Sequence, residues 1–304
     1  MTYGLITELN ELIALRRLVN RKRAPINGRA ARAGSHLSRI RGRGMDFAEV
    51  RNYQAGDEIR HMEWRVTART GRPHIKVYQE ERERPVILLV DFNPSMFFGT
   101  RHAFKSVVAA RLAALIAWAA INQEDRIGAL LFSPKEHSEF MPKSRQAGAL
   151  PILAALSSYT QQFQQLQLED TAVPLNHILM KLNHVTRPGS VIVLISDFYE
   201  LNEECEKYLS RLKMNNDVLA YHVCDALELS PPKPALYAIT NGRQELLLDT
   251  TCSTLDKNYK DWCNHQQLKI QTCLKRLQIQ YSQVTAEMDL SQLVNQTFPR
   301  RRRG

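Results

Sequence analysis

The sequence lacks the cysteine patterns that would indicate a disulfide framework or a zinc ribbon. Its five cysteines are an odd number, all lie after residue 200, and none is spaced as Cys-x-x-Cys. Cys263, His265 and Cys273 are near enough in sequence to share a metal, but cysteine is commonly buried without a ligand role, so we expect reduced thiols. A chain of 304 residues is long enough to bury a core without either kind of support.

Long hydrophobic runs are also missing. The longest apolar stretch, residues 107–121, is interrupted by Arg111 and is shorter than the ~20 residues that a membrane-spanning helix needs. The first ten residues place no basic residue before an apolar run, as a secretory signal would. We therefore expect a cytoplasmic protein with no transmembrane segment.

The familiar catalytic and nucleotide-binding motifs are absent as well. The sequence contains no GxxxxGK[ST], no GxGxxG after a strand, no HExxH and no GxSxG. These absences remove the usual signals of phosphate-loop proteins, dinucleotide-binding enzymes, zinc proteases and serine hydrolases. The composition, 44% hydrophobic and 24% charged, is that of an ordinary folded protein.

Charge of one sign is concentrated at the two ends of the chain. The net charge is +10, residues 1–90 hold 18 Lys and Arg against 10 Asp and Glu, and residues 300–303 are all arginine. Basic ends favour contact with an acidic protein surface, a nucleic acid or an anionic membrane. No aromatic-rich or helix-turn-helix signature accompanies them, which disfavours nucleic acid. An RNA- or membrane-surface protein stays a third hypothesis, which a steep salt dependence of binding would reveal.

Apolar periodicity divides the chain into regions of different structure. Three- and four-residue spacing predicts an amphipathic helix over 5–23, and alternating apolar residues between 45 and 85, including Met62, Trp64 and Val66, predict short antiparallel strands. The predicted organisation is an N-terminal amphipathic helix (1–27), a basic segment (28–84), an α/β domain (85–299) and a basic tail (300–304).

Beyond residue 85, strands alternate regularly with helices. Continuous apolar runs predict strands buried on both faces, and Asn241-Gly242 predicts a hairpin turn. The predicted strands span 86–90, 126–132, 191–196, 218–224 and 280–284, with a short edge strand at 140–141. This alternation predicts an α/β fold with a doubly wound, mostly parallel sheet.

Two predicted strands end in an aspartate, Asp91 and Asp197. Ligands of open α/β sheets bind outside the carboxyl ends of the strands, so the two carboxylates are placed to converge. Asn93 and Ser95 follow Asp91 at alternate positions, and carboxylate, amide and hydroxyl oxygens suit Mg²⁺, Mn²⁺ or Ca²⁺. The alternative is that Asp91 only caps the following helix and Asp197 is solvated.

Two parts of the sequence resemble known families. Residues 86–95 resemble the first strand and metal-ion-dependent adhesion site loop of von Willebrand factor A domains, whose pattern is Asp-x-Ser-x-Ser. The block from Arg43-Gly44-Met45 to Arg69-Thr70-Gly71, with 79–82, is similar to the signature of domain-of-unknown-function family fifty-eight. The resemblance implies that residues 85–299 form a von Willebrand A-like domain that works with a MoxR-type AAA+ ATPase.

The resemblance also implies a set of metal ligands. Asp91 and Ser95 match the first and third positions of the loop, Asp197 matches the distal aspartate, and Thr171 is the candidate for the threonine of the site. Asn93 departs from the serine of the family pattern. A cation held by these five residues would leave one coordination position open for an Asp or Glu of a partner.

The sequence thus leads to a non-enzymatic adaptor as the main functional hypothesis. Its rival is a metal-assisted hydrolase or phosphotransferase that uses Asp91 and Asp197. Such an enzyme needs a general base or a phosphate-clamping lysine close to the two aspartates. No sequence motif identifies either group.

Overall fold

Two units make up the structure, a computed structural model that describes residues 4–19, 45–80, 83–165, 171–240 and 245–298. The α/β unit comprises Met1–Lys22 and Arg84–Gly304, and the small unit comprises Arg23–Glu83. The N-terminal helix therefore belongs to the α/β unit. The predicted loop at 28–44, the Asn241-Gly242 turn and the arginine tail lie outside the described residues.

The structure contains strands and helices at the following positions. The strands are β1 (Met45–Asn52), β2 (His74–Glu80), β3 (Pro85–Asp91), β4 (Arg126–Phe132), β5 (His137–Ser144), β6 (Val191–Ser196), β7 (Asp217–Val223), β8 (Leu236–Thr240), β9 (Glu245–Asp249) and β10 (Gln280–Val284). The helices are α1 (Leu9–Ala14), α2 (Arg16–Val19), α3 (Trp64–Thr70), α4 (Lys105–Asn122), α5 (Arg145–Gln161), α6 (Leu175–Val185), α7 (Glu203–Asn215), α8 (Ala226–Leu229), α9 (Ser253–Arg276) and α10 (Leu290–Thr297).

One six-stranded sheet organises the α/β unit, with the order β10-β7-β6-β3-β4-β5. All neighbours are parallel except β4 and β5. Strand β3 lies between β6 and β4, and Leu89 is paired with Leu194 on one side and Leu130 on the other. Since β3 leads first to β4 on one side and later to β6 on the other, the strand order reverses at β3. The predicted α/β fold is confirmed.

Helices cover both faces of this sheet and bury its apolar side chains in two clusters. One cluster joins the sheet to α1, α4, α5 and α10, and the other joins it to α6, α7 and α9. The inner strands β3, β4 and β6 are buried at almost every position. Their uninterrupted apolar runs are explained by burial on two faces.

Helix α4 is both long and apolar. Its 18 residues have a mean hydropathy of 1.3, so by length and composition alone it is able to cross a membrane, and 83% of the window is buried inside the protein. A core helix of a folded domain meets the same criterion. Among the described residues α4 is the one helix that does so.

The N-terminal helix predicted over 5–23 is present as two short helices, α1 and α2, within the described residues 4–19. Leu12 is completely buried, and the indole N–H of Trp118 donates a 3.0 Å hydrogen bond to its carbonyl oxygen. Ser157 of α5 donates a 2.8 Å hydrogen bond from its hydroxyl to the carbonyl oxygen of Thr7. These contacts make the N-terminal segment part of the core.

Replacing Ser157 by alanine is expected to lower the free energy of unfolding by about 1–2 kcal/mol, because the buried Thr7 carbonyl loses its donor. The measurement is the denaturant midpoint of the full chain. Ser210, exposed on α7, is the matched control, and its alanine variant should stay within about 0.5 kcal/mol of wild type. Equal midpoints for the two variants would contradict the anchoring of the N-terminal segment.

In the small unit, the structure differs from one of the predicted strands. Strands β1 and β2 are antiparallel as predicted, but the predicted strand through Met62, Trp64 and Val66 is wrong, because Trp64 and Val66 lie in helix α3. Met62 alone forms an isolated bridge, with Ile75. The side chain of Glu63 caps α3, and Gly71 ends it with a left-handed φ of 69°. These local start and stop signals outweigh a three-residue alternation.

Candidate functional site

The carboxyl ends of β3 and β6 bring the two predicted aspartates into the same buried region. Asp91 is the last residue of β3, and Asp197 follows the last residue of β6, its parallel neighbour. The two residues are only 3% and 2% exposed. The alternative of a solvated Asp197 is therefore wrong.

Asp91 is held by two short hydrogen bonds. Its Oδ1 accepts from the backbone N–H of Asn93 at 2.8 Å, and its Oδ2 accepts from the hydroxyl of Ser196 at 2.6 Å. Burial and, after it, the nearby charge of Asp197 together raise the pKa of Asp91 to about 7, although these two hydrogen bonds and the charge of Lys105 act in the opposite direction. Asp91 therefore carries a proton more readily than an ordinary aspartate.

The backbone turns sharply immediately after Asp197. Phe198 has a left-handed φ of 55° although it is not glycine, and such a conformation costs of the order of 1–3 kcal/mol. The hydroxyl of Ser196 accepts from the Phe198 N–H at 3.0 Å, and Asp197 Oδ1 accepts from the Tyr199 N–H at 3.2 Å. The strained turn is thus held by side chains of the same strand end.

Asn93 uses its side chain to hold a neighbouring loop. Its Nδ2 donates to the carbonyl oxygen of Val173 at 3.2 Å, and its Oδ1 accepts from the Val173 N–H at 2.8 Å. Thr171, two residues earlier in that loop, is exposed. Ser95 is half-buried in a short 3-10 turn, Pro94–Met96. The structure gives the Asn93 amide a positioning role.

Lys105 is the residue that sequence reasoning missed. It is the first residue of α4 and only 2% exposed, and its Nζ lies 2.9 Å from Asp197 Oδ2 and 2.6 Å from Glu228 Oε1. Burial opposes the charged form of this amine, but the charges of Asp197 and Glu228 outweigh it and raise the pKa of Lys105 above its ordinary value. The ring of Tyr199 lies 5.0 Å from Nζ. The site is therefore built around an ammonium group.

Glu228 connects this ammonium group to the next strand end. Its Oε1 also accepts from the hydroxyl of Tyr199 at 3.1 Å, and its Oε2 accepts from the Asp225 N–H at 2.9 Å in the capping box of α8. Asp225 in turn accepts from the N–H and the hydroxyl of Thr100. The Asp-x-x-Glu spacing at 225–228 is a sequence signal for the cap, but it does not reveal the lysine.

The predicted ligands, as arranged, do not fit a divalent cation. Both oxygens of Asp91 and both polar atoms of the Asn93 amide accept or donate hydrogen bonds within the protein. Asp197 holds an ammonium group, whose positive charge repels a second cation. Among the described residues, no group of three or more His, Cys, Asp or Glu is placed to hold a metal ion. The metal site is still a prediction, and the contacts count against it.

A wide cleft opens beside this buried cluster, with a volume of about 1000 Å³. Its wall includes Ser95 and Phe98 from the segment after β3, Tyr199 from the segment after β6 and Trp262 from α9. The rings of Tyr199 and Trp262 are stacked, with centroids 6.4 Å apart and planes at 25°. Glu228 is also part of the wall, so the cleft and the polar cluster share one boundary.

Comparisons with known proteins give one family and several similar folds. A family model described as "Protein of unknown function DUF58" matches residues 49–268. The "Uncharacterized protein Rv1480" of Mycobacterium tuberculosis is 30% identical over 200 residues, and the match spans 66% of this chain but only 61% of that relative.

Two solved structures with similar chain traces are also known. The conserved hypothetical protein BatB from Bacteroides thetaiotaomicron is 12% identical, with 70% of this chain and 97% of that chain covered and a TM-score of 0.40. The SpRpn10 VWA domain is 14% identical, with 71% and 95% covered and a TM-score of 0.38. At these scores neither carries an argument about the activity of this chain.

Proposed function

This chain belongs to the protein family of unknown function DUF58, and we propose that it is a non-enzymatic interaction protein that binds a partner protein at the carboxyl ends of its parallel strands. The α/β unit supplies the rigid support, since its inner strands and α4 are buried. Binding residues are commonly placed on loops that such a support positions.

The observation that carries this proposal is the aromatic cleft above the buried polar cluster. Tyr199, Trp262 and Tyr259 form adjoining ring contacts along one side of the cleft. Trp and Tyr are enriched among the residues that contribute most to protein–protein affinity. The charged groups below, Lys105 and Glu228, are already paired with each other. The cleft therefore offers apolar contact area to a partner.

The rival enzyme hypothesis finds less support in the same contacts. A hydrolase or phosphotransferase needs a lysine or base that can reach the substrate. Lys105 is 2% exposed and lies between two carboxylates, and Asp91 is enclosed by Ser196 and Asn93. Turnover of a phosphate ester that is lost in an Asp91→Ala variant would favour the enzyme and contradict the adaptor.

The partner that we propose is a MoxR-type AAA+ ATPase in the cytoplasm. The resemblance of the block from residue 43 to residue 71 supports this choice. In this role the chain would link the ATPase to a client whose assembly or remodelling uses ATP. An acidic surface on the partner would suit the basic residues at 1–90 and 300–303.

Replacing Trp262 by alanine is expected to weaken binding to the ATPase at least tenfold, about 1.4 kcal/mol, because the stacked contact surface is lost. The measurement is a titration of labelled full-length chain with the ATPase of the same organism in the presence of ATP. Leu268→Ala is the control, since Leu268 is 61% exposed on the same helix and is not part of the cleft wall. Equal affinities for both variants would contradict the cleft as the binding surface.

A further inference from the structure

We propose that the ammonium group of Lys105 supplies the positive charge at the strand ends, so that this site works without a divalent cation. The inference concerns the site of the proposed function, but it rests on the contacts of Lys105 and not on the identity of a partner. In this protein, a side chain would take the place of the metal ion of the resembled von Willebrand factor A adhesion site.

Lys105 occupies a position at which an unpaired ammonium group would be unstable. It opens α4, where the partial positive charge of a helix N-terminus disfavours a cation. Burying an ammonium group adds a penalty of several kcal/mol unless it is paired and hydrogen-bonded. Two carboxylates, Asp197 and Glu228, lie within hydrogen-bond distance. The lysine is stable at this position because of these two partners.

Two carboxylates and an aromatic ring contact the ammonium group of Lys105. An ammonium group donates three hydrogen bonds, and here it donates to Asp197 Oδ2 and Glu228 Oε1 while it faces the ring of Tyr199. The electron-rich face of an aromatic ring attracts a cation. The protein thus surrounds this ammonium group with two anions and one ring.

The side chains of Asp91 and Asn93, which belong to the predicted metal-ligand set, already form hydrogen bonds within the protein. Divalent cations such as Mg²⁺ and Ca²⁺ take six or more oxygen ligands. Asp91 already accepts from Ser196 and from the Asn93 N–H, and the Asn93 amide is closed on the Val173 backbone. A divalent ion at Asp197 would have to displace Lys105.

The test begins with wild-type protein and metal ions alone. Thermal unfolding of the full chain is followed in a chelator and in millimolar Mg²⁺, Mn²⁺ or Ca²⁺. We expect the same melting temperature in all four conditions, because no metal ion binds the folded protein. A metal ion that did bind, at a hundred times its Kd, would add roughly 2.7 kcal/mol of stability and raise the melting temperature. A rise in any metal that disappears in Asp91→Asn would overturn the proposal.

A second variant tests whether Lys105 takes the place of the ion. Lys105→Ala removes the ammonium group, so we expect Mn²⁺ to raise the melting temperature of this variant and not that of Lys105→Ala/Asp197→Ala. The exposed Lys207→Ala on α7 is the matched control and should not respond. A folded Lys105→Ala that ignores Mn²⁺ would overturn the replacement. If Lys105→Ala does not fold, the thermal unfolding curves of the wild-type protein with and without metal ions decide whether the site binds a divalent cation.

Partner binding separates this inference from the proposed function. We expect this chain to bind the nucleotide-bound ATPase with the same affinity in chelator and in Mn²⁺. The binding assay must itself not depend on metal ions. Binding that requires metal on this chain would overturn the inference and leave the adaptor function intact. Absence of binding under both conditions would contradict the adaptor function, while the melting curves still decide the inference.

Discussion

Replacing Lys105 by methionine is expected to lower the free energy of unfolding by about 3–5 kcal/mol, the usual effect of removing one partner of a buried ion pair. Methionine keeps much of the volume of the lysine stem, so the effect reports the charge. Asp197, 2% exposed, would lose its ammonium partner, and Glu228 would keep only its neutral donors. The measurement is equilibrium unfolding in urea at neutral pH.

The double variant Lys105→Met/Asp197→Asn separates charge from packing. Replacing both members of a buried pair by neutral groups is often close to neutral, so the double variant should be more stable than Lys105→Met alone. Lys207→Met, at an exposed position on α7, should stay within about 0.5 kcal/mol of wild type. If Lys105→Met and Lys207→Met unfold at the same urea concentration, the buried ion pair contributes nothing.

The dependence of stability on pH is expected to change in opposite directions when Asp91 and His222 are replaced. Burial raises the pKa of Asp91 from 3.8 to about 7, so between those values the folded protein holds a proton that the unfolded chain lacks. Its contribution therefore falls as pH rises from about 4 to 7. Burial lowers the pKa of His222 from 6.5 to about 4, so its contribution rises with pH over nearly the same interval.

These two groups thus contribute opposing slopes to the wild-type profile, and replacing one of them should leave the slope of the other. Asp91→Asn should give a stability that increases with pH from 4 to 6.5, and His222→Gln one that decreases. Between pH 4 and 8, Asp91→Asn should gain about 4 kcal/mol relative to wild type, from roughly three pKa units at 1.36 kcal/mol each. Unfolding curves at closely spaced pH values provide the measurement. Three parallel profiles would contradict both assignments.

Most of the fold follows from local patterns in the sequence. Uninterrupted apolar runs predict the inner strands, and the structure places β4 and β6 at the predicted residues, 126–132 and 191–196. The alternation through Met62 and Trp64 is too short to decide between strand and helix, and the cap at Glu63 and the stop at Gly71 produce the helix. Trp64, 65% exposed, shows that an aromatic residue in such a segment is not necessarily in the core.

The sequence by itself determines that Asp91 and Asp197 each stand at the end of a buried strand, because the period of a strand and its end are local properties. The pairing of β3 with β6 makes the two ends neighbours. The tertiary structure decides what neutralises them. Lys105 contacts Asp197 and Glu228, which are 92 and 123 residues away in the sequence. The packing of α4 that brings these residues together produces no short-range pattern in the sequence. Charges interact through space rather than along the sequence. A lysine that opens an apolar helix therefore gives no sign, in the sequence alone, that it lies between two buried carboxylates.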